Sequence, residues 1–320
     1  MKILIVKTSS MGDIIHALPV AYDIKAAMPT CQIHWIAEES FREIPRLSPG
    51  VEKTHVTAFR RWRKHPFAAD VRAEIDALKK ELRAEKFDVV LDIQGLLRSG
   101  LLCHWTKAPT WGYTWKTARE SLASLFYNHR LDLPEEIGAV GSYRVEAAQT
   151  LNYSIDEDHP RFALEPKVAS YLKEGLPYVA LAVNTSRDEK LWPAQNWVSL
   201  ANNLRAQGLR VALFWGSERE RERVEAIAAQ IPDTVVVPRM GLEKTAATLA
   251  QAVGVIGVDT GLTHLGAALG RPSVGIFVST PTETLKLYGD GPVTSLGGIG
   301  VCPEVSQVET AFNKVLGETL

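Results

Sequence analysis

The chain has 320 residues, of which 46% are hydrophobic and 23% are charged. This balance is typical of a globular protein, and the length suggests about two domains, each with a sizeable core. The formal net charge of −1 at pH 7 excludes a global field that would attract nucleic acid or a membrane, so any anion site must be a local cluster.

Cysteine usage and hydropathy narrow the class of protein further. The three cysteines, Cys31, Cys103 and Cys302, form no C-x-x-C pair and show no zinc-ligand spacing, which fits a reducing compartment. The apolar run within Met1–Lys7 is too short for a signal peptide, and no run approaches the roughly 18 apolar residues of a transmembrane helix. We therefore expect a cytoplasmic protein whose membrane contact is peripheral.

Short apolar runs alternate with helical patterns in the first half of the chain. Continuous rather than alternating hydrophobicity predicts buried parallel strands. A helix from about Asp13 to Met28 should end before Pro29. The predicted strands are Ile3–Val6, Gln32–Ile36 and Val89–Ile93, and a further predicted helix is Val71–Glu85. Strand–helix repetition of this kind indicates a Rossmann-like layer with right-handed crossovers.

The pattern breaks at Asp156–Lys167, which is polar and contains prolines, as linkers do. Predicted strands then resume at Tyr178–Val183, Arg210–Trp215, Thr234–Val237, Val253–Val258 and Ser273–Phe277. Predicted helices are Asn196–Gln207, Glu220–Gln230, Leu242–Ala252 and Val305–Leu316, the last of which could close either domain. We predict an α/β protein of two Rossmann-like domains, residues 1–164 and 165–320, that face each other across a cleft.

The first candidate site is Lys7-Thr-Ser-Ser-Met-Gly-Asp13, directly after the first predicted strand. Open parallel sheets bind ligands beyond the carboxyl ends of their strands, and Gly12 permits a tight turn. Asp13 would project from the start of the following helix into the cleft, although helix capping explains an aspartate there equally well. The loop matches neither G-x-G-x-x-G nor G-x-x-x-x-G-K-[ST], which argues against a dinucleotide or P-loop site.

The second candidate site is Asp259-Thr-Gly-Leu-Thr-His264, between a predicted strand and a helix that ends near Gly270. Backbone N–H groups at Thr260 and Gly261 would form an anion site suited to a diphosphate, to which His264 could also donate. Asp259 would repel a diphosphate, so we expect it to orient local N–H or hydroxyl groups or to bind sugar hydroxyls. The alternative is a capped helix with a structural histidine.

Two further motifs follow predicted strands, and each also has an interpretation without a ligand. Lys190, in Thr185-Ser-Arg-Asp-Glu-Lys-Leu-Trp-Pro193, could reach the same diphosphate as a point charge or belong to an exposed mixed-charge loop. After Trp215-Gly216, Glu220 or Glu222 could accept hydrogen bonds from ribose hydroxyls or lie on a solvated helix face.

The only dense basic cluster is Phe59-Arg-Arg-Trp-Arg-Lys-His65. Arginine forks suit phosphates and carboxylates, and Trp62 could sit at an interface. An ordinary basic loop is the alternative. Nucleic acid is a weaker third interpretation, because no recognised binding module accompanies the cluster.

With these motifs in view, the chain resembles the ADP-heptose glycosyltransferase family over nearly its whole length. Further matching stretches are Asp92-Ile-Gln-Gly95 and Thr117-Ala-Arg-Glu-Ser-Leu-Ala-Ser-Leu-Phe-Tyr127. The Asp-Thr-Gly motif is shared across the wider family. The stretches at Lys7–Asp13, Arg60–Lys64 and Thr117–Tyr127 are more specific to the members that add the first heptose of the lipopolysaccharide core.

The resemblance implies a GT-B fold and transfer of heptose from ADP-L-glycero-β-D-manno-heptose to a Kdo hydroxyl of Kdo2-lipid A. The transfer would proceed with inversion, without metal or other cofactor and without nucleic acid, at the cytoplasmic face of the inner membrane. By the same resemblance, Asp13 is the general base. The implied donor-binding residues are Thr185, Ser186, Lys190, Glu220, Met240, Asp259, Thr260, Gly261 and His264. The implied acceptor-binding residues are Arg60, Arg61, Arg63, Lys64, Gln94 and Arg119.

The chain departs from the family pattern at Asn184-Thr185-Ser186, where a His-Ala-Thr-Thr-like loop is expected. Three rival functions also stay open. A missing glycine-rich fingerprint disfavours an NAD-dependent oxidoreductase, and a base with a separate basic surface argues against a nucleotide-sugar sensor. The nearest rival is a different heptosyltransferase of the same family.

Overall fold

A computed structural model of the chain describes residues 1–132, 138–172, 177–282 and 286–318. The contacts divide it into two compact units, Met1–Arg161 and Phe162–Leu320. The boundary falls inside the polar, proline-bearing segment Asp156–Lys167, which carries neither helix nor strand.

The first unit is built on one parallel sheet. Its strands are β1 (Lys2–Val6), β2 (Gln32–Glu38), β3 (Val51–Thr57), β4 (Val89–Asp92), β5 (Thr110–Tyr113) and β6 (His129–Leu131). Its helices are α1 (Met11–Ala17), α2 (Pro19–Ala27), α3 (Phe59–Trp62), α4 (Ala69–Ala84), α5 (Leu97–Thr106) and α6 (Gly138–Leu151). The strand order is β3-β2-β1-β4-β5-β6, with Val6 opposite both Ile36 and Asp92.

The predicted helix from Asp13 to Met28 is wrong in one respect, because it is two helices. Helix α1 ends at Ala17 and α2 begins at Pro19. Proline has no N–H to continue the ladder of hydrogen bonds, and its ring clashes with the preceding turn. The chain nevertheless keeps helical dihedrals at Leu18, so the two helices follow one another directly.

The second unit repeats the architecture. Its strands are β7 (Tyr178–Ala182), β8 (Arg210–Leu213), β9 (Val235–Val236), β10 (Gly254–Val258), β11 (Ser273–Phe277) and β12 (Val293–Gly297). Its helices are α7 (Ala194–Ala206), α8 (Glu218–Ala228), α9 (Leu242–Ala250), α10 (Gly261–Ala268) and α11 (Val305–Gly317). The order β12-β11-β10-β7-β8-β9 is the same Rossmann permutation as in the first unit.

Helix α11 packs onto the second unit. Val308, Phe312 and Val315 belong to the same buried core as strands β7, β8, β10 and β11. Phe312 lies so close to Gly254 that a Cβ added there would be 2.4 Å from the ring. Among the helices of the described segments, none is both long and apolar enough to cross a membrane.

Candidate active site

Asp13 lies in the first turn of α1, beyond the carboxyl end of β1. Ser10 is the N-cap residue, and its backbone N–H and its Oγ donate to Asp13 Oδ2 at 2.9 and 2.7 Å. Asp13 therefore does help to cap the helix, but from the third helical position. The two hydrogen bonds hold its half-buried carboxylate in a fixed orientation.

A buried ammonium group favours the ionised form of Asp13. Lys7 is fully buried, and its Nζ donates to Tyr143 Oη at 2.6 Å and to the Ile93 carbonyl at 3.3 Å. Burial raises the pKa of Asp13, but the charge of Lys7 and the hydrogen bonds from Ser10 outweigh it, so the pKa lies below its usual value. Burial also lowers the pKa of Lys7 to about 8. At neutral pH Asp13 is thus a carboxylate, the form that a base requires.

Gln94 and Arg119, both predicted to bind an acceptor, have different surroundings. Gln94 is buried, and its Oε1 accepts hydrogen bonds from Thr8 N and Thr8 Oγ1 at 2.6 and 2.8 Å. Arg119 is exposed, and its positive charge contributes to the lowered pKa of Asp13. Arg119 is therefore an exposed cation whose charge acts on Asp13, whereas the side-chain carbonyl of Gln94 holds the loop at Thr8.

The basic cluster begins on α3, and its members differ in whether a carboxylate of the protein already pairs with their charge. Arg61 donates to both oxygens of Glu74 at 3.0 and 2.8 Å and to Glu39 at 3.3 Å. Arg63 and Lys64 are exposed, and no carboxylate in the described segments forms an ion pair with either of them. These two side chains are the better candidates for an anionic acceptor.

Two neighbouring side chains of the cluster are anchored in the first unit. The interpretation of Trp62 as an interface residue is wrong. It is 5% exposed, belongs to the core, and donates from Nε1 to Glu74 at 2.7 Å. The Arg60 backbone N–H donates to Glu38 Oε1 at 3.0 Å, and its guanidinium lies over the Phe41 ring.

Asp259 follows the carboxyl end of β10 and binds several side chains directly. The Lys190 ammonium donates to Oδ2, Thr280 Oγ1 donates to the same oxygen at 2.9 Å, and His264 Nε2 lies 3.5 Å from Oδ1. Burial raises the pKa of Asp259, but contacts with His264, Lys190 and Thr280 reverse the shift and hold the pKa well below its usual range. The carboxylate is therefore a counter-ion that orients Lys190 and His264.

Helix α10 starts immediately after this aspartate, with Thr260 as its N-cap residue and Gly261 at its first position. Small residues bring the helix close to the sheet. A Cβ at Gly257 would lie 2.1 Å from Thr263 Oγ1, and one at Gly266 would lie 2.5 Å from Val255. The first turn of α10, where backbone N–H groups lack the carbonyl partner four residues earlier that the helix interior has, begins at the carboxyl end of β10.

The loop after β7 contributes Thr185 and Ser186, which the resemblance places at the donor. Thr185 Oγ1 donates to the Asp259 carbonyl at 3.1 Å, so this hydroxyl ties the two loops together. Ser186 is exposed. Asn184, where the chain departs from the family pattern, is buried and joins the Phe214 carbonyl to Arg223.

Glu220 and Met240 lie beyond the carboxyl ends of β8 and β9. Glu220 Oε2 accepts hydrogen bonds from Gly216 N and Ser217 N at 2.7 and 3.1 Å, which closes the loop before α8. One carboxylate oxygen is thereby occupied within the protein. Met240 is half-buried, and its Sδ lies 4.0 Å from Thr248 Oγ1.

One group in the described segments has metal-ligand spacing. Ligand atoms of His34, His55 and Glu85 all lie within 4.8 Å of one another. Glu85 is already bonded by the ammonium groups of Lys2 and Lys53, each at 2.7 Å. Lys2, which binds Glu85 of this group, lies at the start of β1, whereas Asp13 follows the end of that strand.

Sequence reasoning gave no role to Lys7, although it begins the first candidate site, and it did not single out Tyr143 or Thr280. Lys7 had a signal, because a charged residue directly follows a buried strand. Thr280 follows β11 and therefore lies at the same edge of the sheet as Asp259. Tyr143 has no such signal, since it lies within α6 and meets Lys7 across 136 residues.

Comparison with known proteins places this geometry in a family. Residues 75–313 match glycosyltransferase family 9 (heptosyltransferase). Lipopolysaccharide heptosyltransferase 1 of Escherichia coli (strain K12) is 39% identical over 298 residues, covering 90% of this chain and 91% of the relative.

Two solved structures match this chain over its whole length and over their own whole length. E. coli heptosyltransferase WaaC with ADP matches with a TM-score of 0.87 at 36% identity. E. coli heptosyltransferase WaaC with ADP-2-deoxy-2-fluoro heptose matches with a TM-score of 0.84 at 37% identity. The two Rossmann-like units are those of a GT-B fold, and the chain belongs to glycosyltransferase family 9, the heptosyltransferases.

Proposed function

We propose that the chain transfers L-glycero-D-manno-heptose from ADP-heptose to a Kdo hydroxyl of Kdo2-lipid A, in synthesis of the lipopolysaccharide inner core. The names of the relatives support the donor and the pathway. The observation that carries the proposal is Asp13, a carboxylate kept ionised by Lys7 and oriented by Ser10 at the carboxyl end of β1.

In this proposal the first unit handles the acceptor. Asp13 takes the proton of the Kdo hydroxyl while that oxygen attacks the anomeric carbon of heptose. A modest base suffices, because the hydroxyl becomes acidic only as the new C–O bond forms. Exposed Arg63, Lys64 and Arg119 attract the anionic groups of the acceptor. A single displacement inverts the β-configured donor to an α-linked product.

The second unit handles the donor. As the bond from the anomeric carbon to the diphosphate breaks, ADP leaves with the negative charge. The Lys190 ammonium, held by Asp259, and the N–H groups at the start of α10 stabilise that charge. Ser186, Glu220, Met240 and His264 complete the proposed donor set, and Thr185 holds the loop around it.

We further propose that the reaction needs no metal ion, because the ammonium group and the helix N-terminus supply the positive charge that a divalent cation supplies elsewhere. Unchanged turnover in EDTA is the expected result. Loss of turnover in EDTA that Mg²⁺ or Mn²⁺ restores would contradict it. A lipid-bearing acceptor also places the enzyme peripherally at the cytoplasmic face of the inner membrane.

Release of ADP from ADP-heptose in the presence of Kdo2-lipid A tests the function. We expect turnover with this pair and an α linkage in the product by NMR. Tight ADP-heptose binding without turnover would indicate a sensor. Preference for an acceptor that already carries one heptose would indicate a different heptosyltransferase.

A further inference from the structure

Large apolar side chains are exposed to solvent on the segment that follows β5. Trp115, Leu122 and Leu125 are 53%, 51% and 66% exposed. Leu122 and Leu125 lie three residues apart in a 3₁₀ helix, Ser121–Phe126, so they project from the same side. Single exposed apolar residues are ordinary, but grouped ones mark a surface that contacts another apolar phase.

Buried side chains and hydrogen bonds fix the 3₁₀ helix in place, so its leucines have a defined, exposed position. Ala123 and Ser124 are buried beneath it. The Glu120 N–H donates to the Gly95 carbonyl at 2.9 Å, and Arg130 Nε donates to the Ser124 carbonyl at 2.9 Å. The exposed leucines therefore have no freedom to fold back onto the protein without breaking these bonds.

Positive charge surrounds the apolar side chains, although the whole chain carries a net charge of −1. Lys116 and Arg119 are exposed in the same segment, and exposed Arg130, in β6, is bonded to that segment at the Ser124 carbonyl. The acid among them, Glu120, accepts a hydrogen bond from Leu97 N at 2.6 Å. Leucine and tryptophan beside arginine and lysine form the combination that suits an anionic lipid interface.

We propose that Trp115, Leu122 and Leu125 insert into the interfacial layer of an anionic phospholipid bilayer, with Lys116, Arg119 and Arg130 on the phosphates. The inference rests on the proposed lipid-bearing acceptor. Arg119 links the two functions, because its charge acts on Asp13 and it belongs to the same segment as the leucines. Insertion of this segment brings the base to the headgroup layer, where a Kdo hydroxyl lies.

Sedimentation with vesicles tests the proposal. We expect the protein to bind vesicles of phosphatidylethanolamine with phosphatidylglycerol, and to bind phosphatidylcholine vesicles much more weakly. Replacing both leucines (L122S/L125S) should weaken binding on the order of tenfold, since binding scales with buried apolar area. The matched control is I299S/V301S in the second unit, where the two side chains are 71% and 57% exposed.

Three outcomes would overturn the inference. The first is unchanged vesicle binding of L122S/L125S, and the second is an equal loss of vesicle binding in I299S/V301S. The third is a difference in oligomeric state between L122S/L125S and the wild type, measured by analytical ultracentrifugation. The last would make a second copy of the chain the occupant. A kinetic comparison adds a second readout. The L122S/L125S variant should lose more ADP release with Kdo2-lipid A in vesicles than with its deacylated, water-soluble glycan. Vesicle binding without any heptose transfer would reject the proposed function and leave this inference standing.

Discussion

Each unit places an aspartate beyond the carboxyl end of a central strand, Asp13 after β1 and Asp259 after β10, yet the two carboxylates have different surroundings. Asp13 follows the central strand of its sheet and receives hydrogen bonds at Oδ2 from Ser10 alone among the described residues. Lys7, the cation that lowers the pKa of Asp13, donates its hydrogen bonds to Tyr143 and to the Ile93 carbonyl rather than to Asp13. Asp259 contacts Lys190, Thr280 and His264 directly.

The difference shows that a carboxylate beyond a parallel strand can have quite different partners, and the proposed mechanism gives the two aspartates different roles. The proposed base needs an ionised oxygen that can accept a proton, and the charge of Lys7 favours the ionised form of Asp13 through space. A counter-ion needs its oxygens occupied, as those of Asp259 are. The predictions below test this contrast, from the largest expected effect to the smallest.

Asp13→Asn should lower kcat by about 10²- to 10⁴-fold, because it removes the proton acceptor while keeping shape. The amide oxygen of asparagine can still accept the hydrogen bonds from Ser10 at this third helical position, so the Tm and the donor Kd should stay near those of the wild type. Steady-state kinetics, thermal unfolding and ADP-heptose titration measure the three quantities. A folded variant that keeps most of its kcat would remove Asp13 from the mechanism.

Lys190→Ala should reduce the rate on the order of 10²- to 10³-fold, by analogy with the loss of a donor to a developing anion. Part of that loss would come from Asp259, whose charge would then face the diphosphate without its cation.

The double variant K190A/D259N separates the two contributions. If Asp259 is a counter-ion, the fold loss of kcat/KM in the double variant should be smaller than the product of the fold losses in the two single variants. The reason is that the effects of residues in contact are not additive. A multiplicative loss in kcat/KM would show that Asp259 acts on the substrate independently of Lys190.

Neutralising Arg63 and Lys64 (R63Q/K64Q) should raise the acceptor KM roughly 3- to 10-fold, the range expected for exposed charge contacts. Donor binding should not change. R61Q is the matched control, because Arg61 is already paired with Glu74 and Glu39. High salt should mimic R63Q/K64Q, since exposed charges are screened over about 10 Å at 0.1 M. An equal effect of R61Q would reject the distinction within the cluster.

Lys7→Met should move the acid limb of the kcat–pH profile to higher pH. The charge of Lys7 lowers the pKa of Asp13, and the base works only above its pKa, so removing the charge raises the pH at which activity appears. Deprotonation of Lys7 near its own pKa of about 8 should not end activity, because Asp13 is ionised far below that pH.

Tyr143→Phe is the control for this profile, since it removes a hydrogen bond of Lys7 but leaves the charge. Its acid limb should stay near that of the wild type. An unmoved acid limb in Lys7→Met would show that Lys7 serves packing alone. The groups that act on Lys7 electrostatically are Asp13, Arg119, Asp92 and Glu146.

The sequence by itself determined most of the second sheet and the edges at which the site lies. Continuous apolar runs such as Ile3–Val6 and Ser273–Phe277 are strands because both faces of a central parallel strand are buried. The prediction missed β3, β5, β6 and β12. Strand β6 is largely exposed and β12 is half-buried throughout, so neither carries a long apolar run.

Only the tertiary structure decided which charges meet. Lys190 and Asp259 are 69 residues apart, and Lys7 and Tyr143 are 136 apart. Hydrophobic periodicity reports which face of an element is buried, but it says nothing about which distant loop the sheet order brings beside it. Asp13 and Asp259 have the same side chain, and both lie beyond the carboxyl end of a central strand. Their different surroundings follow from partners supplied by α6 in one unit and by the loops after β7 and β11 in the other.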